Sequence, residues 1–320
     1  MKEGCAPAAH GMRKNSLNAW FRALRVHFVP CNVLPAILGS VIAWARFDLF
    51  NLSDFLLVLA AVTVNYFGLA MLDDVFDFLS AVDTRTEQDK NPFSGGSGVL
   101  TSGALSPRQL LTAAILCFVC VAVIGVYFVI TKGWMILLFG IVGLFSSVFY
   151  TMPPVKLCYR GMGELGLLIN YGPTIGLGAF YVQTGALAWE PFVISLVLGF
   201  MMWSMIIINE IPDYDEDRRG GKLNLVARFG REVGIQLYGA GLTAAYATIF
   251  LSVVLGLGPL PVLLGAAGLP LALKSIRILR ATYRDRLAMA PANRAMIQVH
   301  LLTSLGLILG YLLTGFPAGV

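Results

Sequence analysis

The chain of 320 residues is strongly apolar: 57% of its residues are hydrophobic and 13% are charged, with a mean hydropathy of +0.76. Soluble domains carry about 25% charged residues, so the composition excludes a soluble enzyme and a disordered chain. Five cysteines are too few for a secreted disulfide scaffold. The net charge of +5 is explained by basic loops that flank membrane spans, and no nucleic-acid partner is expected. We therefore predict an integral membrane protein in a lipid bilayer.

Nine stretches are apolar and long enough to cross about 30 Å of hydrocarbon. They lie near residues 24–45, 53–72, 109–130, 134–150, 163–185, 190–209, 233–256, 259–273 and 296–315. The third and fourth stretches are separated only by residues 131–133, which predicts a tight hairpin, and the seventh and eighth are equally close. The sequence thus predicts an all-α bundle of nine transmembrane helices. We expect a single domain over residues 1–320 that includes an N-terminal cytoplasmic segment, residues 1–20.

The lysines and arginines test this arrangement independently, because cytoplasmic loops carry the excess of basic residues. With the N-terminus inside, all 23 basic residues except Arg46 and Lys132 fall on the cytoplasmic side. A span missed or added in mid-chain would scatter them over both faces. We therefore expect a multi-pass protein of the inner (plasma) membrane with its N-terminus in the cytoplasm.

Acidic residues concentrate at the ends of the second and sixth spans. The two stretches contain Asp73, Asp74, Asp77, Asp83, Glu87 and Asp89, and Glu210, Asp213, Asp215, Glu216 and Asp217. In each stretch two carboxylates recur at a spacing of four residues, which places them on one helix face about 5–6 Å apart at Cβ. Like charges at that distance repel, and an Asp at a helix centre in a membrane costs about 2.5–3.5 kcal/mol. A cation between the carboxylates would relieve both penalties.

Both acidic stretches fall on the predicted cytoplasmic side, four spans apart. The spacing suggests two pseudo-repeated four-helix units plus one helix, with the second and sixth spans equivalent. Mg²⁺ is typically held by one or two carboxylates together with substrate phosphates, so two facing acidic pairs predict a diphosphate bound through Mg²⁺. Solvated helix ends are the usual meaning of one acidic cluster, but two clusters on one side favour a shared site.

Basic and glycine-rich segments near the acids are consistent with an anion site. Arg85 and Lys90 follow the first stretch, and Lys222 follows the second. Such cations would offset charge developing on a leaving diphosphate, although topogenic loop charge is the alternative interpretation of each. The run Ser94-Gly-Gly-Ser-Gly98 permits close backbone approach to an anion, as any flexible loop would.

The acidic motifs resemble those of the UbiA superfamily of intramembrane prenyltransferases. Asp73-Asp-Val-Phe-Asp77, continuing to Asp83, is similar to the first aspartate motif of that superfamily. Asn209-Glu-Ile-Pro-Asp213-Tyr-Asp-Glu-Asp217, followed by Gly-Lys222-Leu-Asn, is similar to the second. Aligned on Asp77, the first motif has Asp73 where the superfamily commonly has Asn. The stretch 150–165 is similar to the menaquinone branch, which prenylates 1,4-dihydroxy-2-naphthoate.

The resemblance, which covers about residues 20–315, implies a reaction and its residues. A prenyl diphosphate held by Mg²⁺ loses diphosphate, and an electron-rich aromatic acceptor attacks the resulting allylic cation. The metal ligands it implies are Asp73, Asp77, Asp213 and Asp217, with Asp83 as a further candidate. The catalytic residues it implies are Asp73, Asp74, Asp77, Asp213, Asp217 and Lys222. The substrate-binding residues it implies are Asn65, Arg85, Lys90, Tyr150, Lys156, Arg160, Asn209 and Lys222. Four aromatic side chains are candidates to steady the cation through their π faces: Tyr66, Phe76, Tyr150 and Tyr171.

The acceptor and the class of protein each have alternatives. Besides 1,4-dihydroxy-2-naphthoate, the acceptor could be 4-hydroxybenzoate, homogentisate or a glycerol phosphate ether lipid. A secondary transporter that binds a coupling cation is the alternative from another class. A transporter predicts ionisable residues near the bilayer midplane, whereas the acids here cluster at helix ends on one side, which favours the enzyme.

Overall fold

The computed structural model describes residues 17–82 and 91–314, and this part of the chain is helical without a strand. Nine apolar helices follow one another along the described residues. They are α1 (Val29–Phe47), α2 (Leu52–Leu79), α3 (Pro107–Lys132), α4 (Met135–Val148), α5 (Gly163–Thr184), α6 (Trp189–Glu210), α7 (Arg231–Val254), α8 (Leu260–Thr282) and α9 (Ala290–Leu312). Eight are long and apolar enough to cross a membrane, and α4 is a shorter apolar helix. The predicted all-helical membrane bundle is confirmed.

Helix boundaries differ most from the prediction where charged residues continue a helix. α2 runs to Leu79, so Asp73 and Asp77 lie within its last turns and not beyond its end. α8 likewise runs on to Thr282. Hydropathy marks where an apolar stretch stops, whereas a helix ends where its backbone hydrogen bonds end. For this reason the predicted spans at 53–72 and 259–273 were too short.

α5 is interrupted in its middle, next to α6. Residues Asn170–Thr174 form a wide π-helical turn, in which Gly172 has φ −93° and ψ −106° and precedes Pro173. Proline removes a helical hydrogen bond and crowds the preceding turn. A Cβ atom on Gly172 would lie 3.1 Å from the Cα of Gly199 on α6, so glycine at both positions permits the close crossing. The interrupted segment includes Tyr171, which lines the cavity described below.

Glycine also sets the contact between α1 and α5. A Cβ atom on Gly39 would lie 2.0 Å from the carbonyl oxygen of Gly176, which is far inside van der Waals contact. Small residues allow such close backbone approach between membrane helices. The largest buried core is formed mainly by side chains of α1, α5, α6, α7, α8 and α9. A second core packs α2 against α3. Leu69, Leu167, Met202 and Met205 of the larger core also line the cavity described below.

Candidate active site

The C-terminal ends of α2 and α6 face one cavity. Asp73 and Asp77 line it from α2, and Asp213 and Asp217 line it from the segment after α6. The two acidic stretches, distant in sequence, therefore share one chamber at one end of the bundle. Glu210 and Glu216 line the cavity as well, together with a few polar side chains such as Asn32. Apolar and aromatic side chains form much of the rest of the wall: Leu69, Leu167, Met202, Met205, Ile206, Tyr66, Tyr150 and Tyr171. The cavity has a charged end and an apolar end.

Lys222 connects the two acidic stretches. Its Nζ lies 2.6 Å from Asp77 Oδ2 and 3.7 Å from Asp73 Oδ1, while its backbone N–H donates to the carbonyl oxygen of Asp217 at 2.8 Å. Burial by itself would lower the pKa of Lys222, but the Asp73 and Asp77 carboxylates outweigh burial and raise that pKa well above its ordinary value. Lys222 therefore stays a cation inside the cavity.

Arg25 is a second cation in the cavity and was not among the predicted site residues. Its guanidinium donates to Asp74 and, at 3.4 Å, to Asp73 Oδ2. Burial alone would lower the pKa of Arg25, but these two carboxylates raise it above its ordinary value. An arginine just before a first apolar stretch is common in membrane proteins, so the position of Arg25 in the sequence indicates only a topogenic charge.

The glycine-rich loop at residues 91–98 binds both acidic stretches. Ser94 Oγ and Gly95 N donate to the two carboxylate oxygens of Asp213, at 3.1 Å and 2.9 Å. Ser97 donates to Asp74 from its backbone N–H at 3.1 Å and also from its hydroxyl. Gly95 has a φ of 74°, a conformation that glycine adopts without strain. The loop thus places its donors on the carboxylates that flank the cavity.

The second acidic stretch lies on a separate short helix. α6 ends at Glu210, and Asp213 is the residue that precedes the helix Tyr214–Arg219. Asp217 N donates to the carbonyl oxygen of Asp213 at 2.9 Å, so the two residues span one helical turn, as the spacing of four predicted. Asn224 Nδ2 donates to Asp217 Oδ2 at 2.6 Å. Burial raises the pKa of Asp217 well above its ordinary value, and the nearby Lys222 only partly counteracts this.

Two further predicted residues, Tyr150 and Asn209, line the cavity, whereas Asp74 lies beside it. Asp74 lines a small neighbouring hollow with Ser97. Among the predicted aromatic residues, Tyr66 and Tyr171 also line the cavity, but Phe76 packs against the α2–α3 core.

Three predicted substrate-binding residues make contacts elsewhere. Asn65 Nδ2 donates to Ser147 Oγ at 2.8 Å, between α2 and α4. Lys156 Nζ lies 4.4 Å from the centre of the Tyr159 ring, and Arg160 Nη2 donates to the carbonyl oxygen of Pro154 at 2.9 Å. The structure does not place these three side chains on the cavity wall. The predicted residues Asp83, Arg85 and Lys90 lie outside the described residues.

The donor set of the cavity suits Mg²⁺. Within the described residues, Asp73 Oδ1 is buried and accepts no hydrogen bond, and five further carboxylates line the same cavity. Within the described part of the chain, no group of three or more Asp, Glu, Cys or His side chains is already arranged around a position for a metal ion. Mg²⁺ needs no such arrangement, because it keeps several waters and takes oxygens from substrate phosphates. Asp73, Asp77, Asp213 and Asp217 are the residues that would hold Mg²⁺ if it bound here together with a phosphorylated ligand.

Comparison with known proteins assigns this chain to a family. The model of the UbiA prenyltransferase family matches residues 32–302. The chain belongs to this family and is a multi-pass membrane prenyltransferase. The transporter alternative is thereby set aside.

Individual relatives extend the comparison over most of the chain. The 1,4-dihydroxy-2-naphthoate octaprenyltransferase of Bacillus subtilis (strain 168) is 25% identical over 234 residues, which is 72% of each chain. The protein of the same name from Escherichia coli (strain K12) is 24% identical over 306 residues, covering 94% of this chain and 97% of the relative. A UbiA homologue from Archaeoglobus fulgidus, solved bound to DMAPP and Mg²⁺, superposes with a TM-score of 0.60 at 15% identity, covering 90% of this chain and 98% of the homologue. At that identity the structural match supports the fold.

Proposed function

We propose that this protein transfers an isoprenyl chain from a prenyl diphosphate to 1,4-dihydroxy-2-naphthoate, in a Mg²⁺-dependent reaction. The observation that carries the proposal is a cavity lined by six acidic side chains and two cations at one end and by apolar and aromatic side chains at the other. A prenyl diphosphate has the same division, since its head is highly charged and its chain is apolar. The match in polarity supports an orientation in which the diphosphate lies at the charged end of the cavity and the prenyl chain at the apolar end.

The charged end would hold the diphosphate. Asp73, Asp77, Asp213 and Asp217 would bind Mg²⁺, which when bound offsets the negative charge of the diphosphate and so makes it a better leaving group. Support for this comes from the Archaeoglobus fulgidus homologue, which was solved with DMAPP and Mg²⁺. Lys222 and Arg25 are protonated and face the same space, so both can stabilise charge on the departing diphosphate.

The apolar end would handle the carbon chemistry. When the carbon–oxygen bond to diphosphate breaks, the allylic carbon becomes positive, and the faces of Tyr66, Tyr150 and Tyr171 can stabilise that charge. The same side chains exclude water that would otherwise capture the cation. A ring carbon of the acceptor then forms the new carbon–carbon bond, and the naphthoate carboxyl group leaves as carbon dioxide.

The acceptor is proposed on the strength of the relatives, two of which are named for 1,4-dihydroxy-2-naphthoate. The cavity wall supports an aromatic ring but does not select one ring over another. The alternatives 4-hydroxybenzoate, homogentisate and a glycerol phosphate ether lipid therefore serve as comparison acceptors in the test.

We also propose that the cavity opens to the cytoplasm and belongs to one domain over residues 1–320. The basic residues predict this orientation, because the cavity lies at the end of the bundle that carries most of them. Both halves of the chain contribute to the cavity, through α2 and the segment after α6. Neither half would hold a complete site alone.

The test is an assay of purified protein in detergent with a prenyl diphosphate, Mg²⁺ and each acceptor, read by mass spectrometry of the products. We expect prenylated naphthoate from the native protein and none from Asp77→Ala, from Asp217→Ala or after chelation of the metal. Asp215→Ala is the matched control, because this side chain is exposed and lies off the cavity. Prenylation of another acceptor in preference to naphthoate would refute the acceptor, and diphosphate release without Mg²⁺ would refute the metal dependence.

A further inference from the structure

Three asparagine side chains form a hydrogen-bonded chain from the 91–98 loop to the cavity. Asn91 Nδ2 donates to Asn293 Oδ1 at 3.2 Å, and Asn293 Nδ2 donates to Asn209 Oδ1 at 2.9 Å. Asn91 and Asn293 are each only 1% exposed, whereas Asn209 lines the cavity. We call these three residues the asparagine chain.

Backbone groups fix which way each amide of the asparagine chain points. Asn293 Nδ2 also donates to the carbonyl oxygen of Ile208 at 3.1 Å, and a carbonyl can only accept. Asn91 Nδ2 donates to the carbonyl oxygen of Arg286 at 2.9 Å, while Asn91 Oδ1 accepts from Phe93 N at 3.0 Å. Rotating the amide of Asn91 or Asn293 by half a turn would set like groups against each other. These backbone contacts therefore determine which end of each amide, in Asn91 and in Asn293, is the nitrogen and which is the oxygen.

This orientation defines what Asn209 offers to a ligand. Its Oδ1 faces α9, where it accepts from Asn293. Its Nδ2 makes no hydrogen bond to the described residues. The buried polar atoms of the described residues that lack a hydrogen-bond partner do not include this nitrogen. Asn209 Nδ2 is therefore accessible, on a residue that lines the cavity. The amide therefore presents N–H groups to the cavity, and N–H groups bind oxygen atoms and repel cations.

We propose that Asn293 and Asn91 are positioning residues that hold Asn209 as a hydrogen-bond donor to an anionic oxygen of the substrate, not as a ligand of the metal. The inference rests on the proposed function for its substrates. Two sources could supply that oxygen: the diphosphate of the prenyl donor or the carboxylate of the aromatic acceptor. Asn209 lies shortly before Asp213 in the sequence, and both residues line the cavity. A ligand that the Asp213 carboxylate binds through a metal would therefore have its oxygen atoms in the part of the cavity that Asn209 faces.

The test is a double-mutant cycle of Asn209→Ala and Asn293→Leu, with two binding measurements on purified protein. Binding of inorganic diphosphate in the presence of Mg²⁺ reports on the donor head, and binding of 1,4-dihydroxy-2-naphthoate reports on the acceptor. Asn209→Ala removes the donor without adding charge. Asn293→Leu leaves Asn209 in place but removes the group that orients it. Ser304→Ala is the matched control, because Ser304 is also buried on α9 but bonds only to His300 of its own helix.

We expect Asn209→Ala to weaken the binding of one of the two ligands by about tenfold or more, because it removes a hydrogen bond to a charged group. Asn293→Leu should weaken the same ligand by a smaller factor, and should have no further effect in the Asn209→Ala background. The half-saturating Mg²⁺ concentration should stay unchanged. If Asn293→Leu does not fold, Asn293→Asp keeps the volume, loses the donor and should give the same coupling.

Each possible result decides the inference. Weaker diphosphate binding or weaker naphthoate binding supports it and identifies the source of the oxygen. A raised Mg²⁺ requirement in Asn209→Ala, or additive effects of the two substitutions, overturns it. If both ligands bind the native protein and Asn209→Ala leaves their affinities unchanged, the inference fails while the proposed function stands. If the native protein binds neither ligand, both fail.

Discussion

The ammonium group of Lys222 lies 2.6 Å from a carboxylate oxygen of Asp77, although 145 residues separate the two in sequence. Tyr159 donates to the other oxygen of the same carboxylate at 2.8 Å. The first acidic stretch is thus held by residues that come from two later segments of the chain. Because Asp77 is only 4% exposed, its charge depends on these partners.

Replacing Lys222 tests the importance of this contact. In Lys222→Ala the buried Asp77 carboxylate loses its cation, and the departing diphosphate loses a source of stabilisation. We expect kcat/KM to fall by about 10²- to 10³-fold, the usual effect of removing one preorganised electrostatic group. Steady-state kinetics with varied prenyl diphosphate measures this. Lys274→Ala, at an exposed position on α8, serves as the control, and equal activities of the two variants would contradict the prediction.

Arg25 is expected to contribute to both stability and activity. Arg25→Ala leaves Asp73 and Asp74 without the guanidinium that both now contact, so the melting temperature in detergent should fall and the KM for prenyl diphosphate should rise. Arg25→Lys retains the charge but not the planar group that reaches two carboxylates, and should recover activity only in part. Arg108→Ala, at an exposed position at the start of α3, is the control. Full activity in Arg25→Lys would show that charge alone is sufficient.

The pH dependence of Mg²⁺ binding should report the ionisation of Asp217. Its folded-state pKa is raised by burial, so the neutral carboxyl persists to a higher pH than in the unfolded chain. The metal-free fold therefore gains stability from this group at low pH and loses it as the pH rises through the raised pKa. Mg²⁺ needs the ionised form, so its apparent affinity should increase over the same rise in pH.

Titrating the Mg²⁺ requirement between about pH 5 and about pH 8 measures this effect. Asp217→Asn should bind Mg²⁺ more weakly and with a shallower pH dependence. Asp215→Asn, at an exposed position that pairs with Arg231, should keep the slope of the native protein. An unchanged slope in Asp217→Asn would show that other carboxylates govern the metal.

The close contact of α1 with α5 predicts a strong effect of a single methyl group. In Gly39→Ala the new Cβ would meet the carbonyl oxygen of Gly176 at 2.0 Å, so the two helices must separate, at a cost of about 1–3 kcal/mol or more. Gly125→Ala on α3 is the matched control, because its Cβ would meet no atom within 4 Å. Thermal unfolding in detergent should show a lower melting temperature for Gly39→Ala alone.

Much of the candidate site follows from the spacing of residues along the chain. Asp73 and Asp77, and Asp213 with Asp217, are each one helical turn apart, and the parity of the spans predicts that both pairs lie at the same end of the bundle. The structure places all four on one cavity. Asn65, Lys156 and Arg160 were selected by resemblance and contact other groups, because a motif defines residue types but not the rotamers or backbone turns that aim them.

The sequence by itself determined the membrane bundle and the two acidic helix ends, because hydropathy and helical spacing are local properties that each segment carries alone. Only the tertiary structure decided that Arg25 enters the cavity, that Lys222 contacts Asp77, that the 91–98 loop binds Asp74 and Asp213, and that Asn293 orients the amide of Asn209. These contacts join side chains far apart in sequence. Their geometry depends on how closely the helices pack, as at Gly39 and Gly172, and no local pattern records that distance.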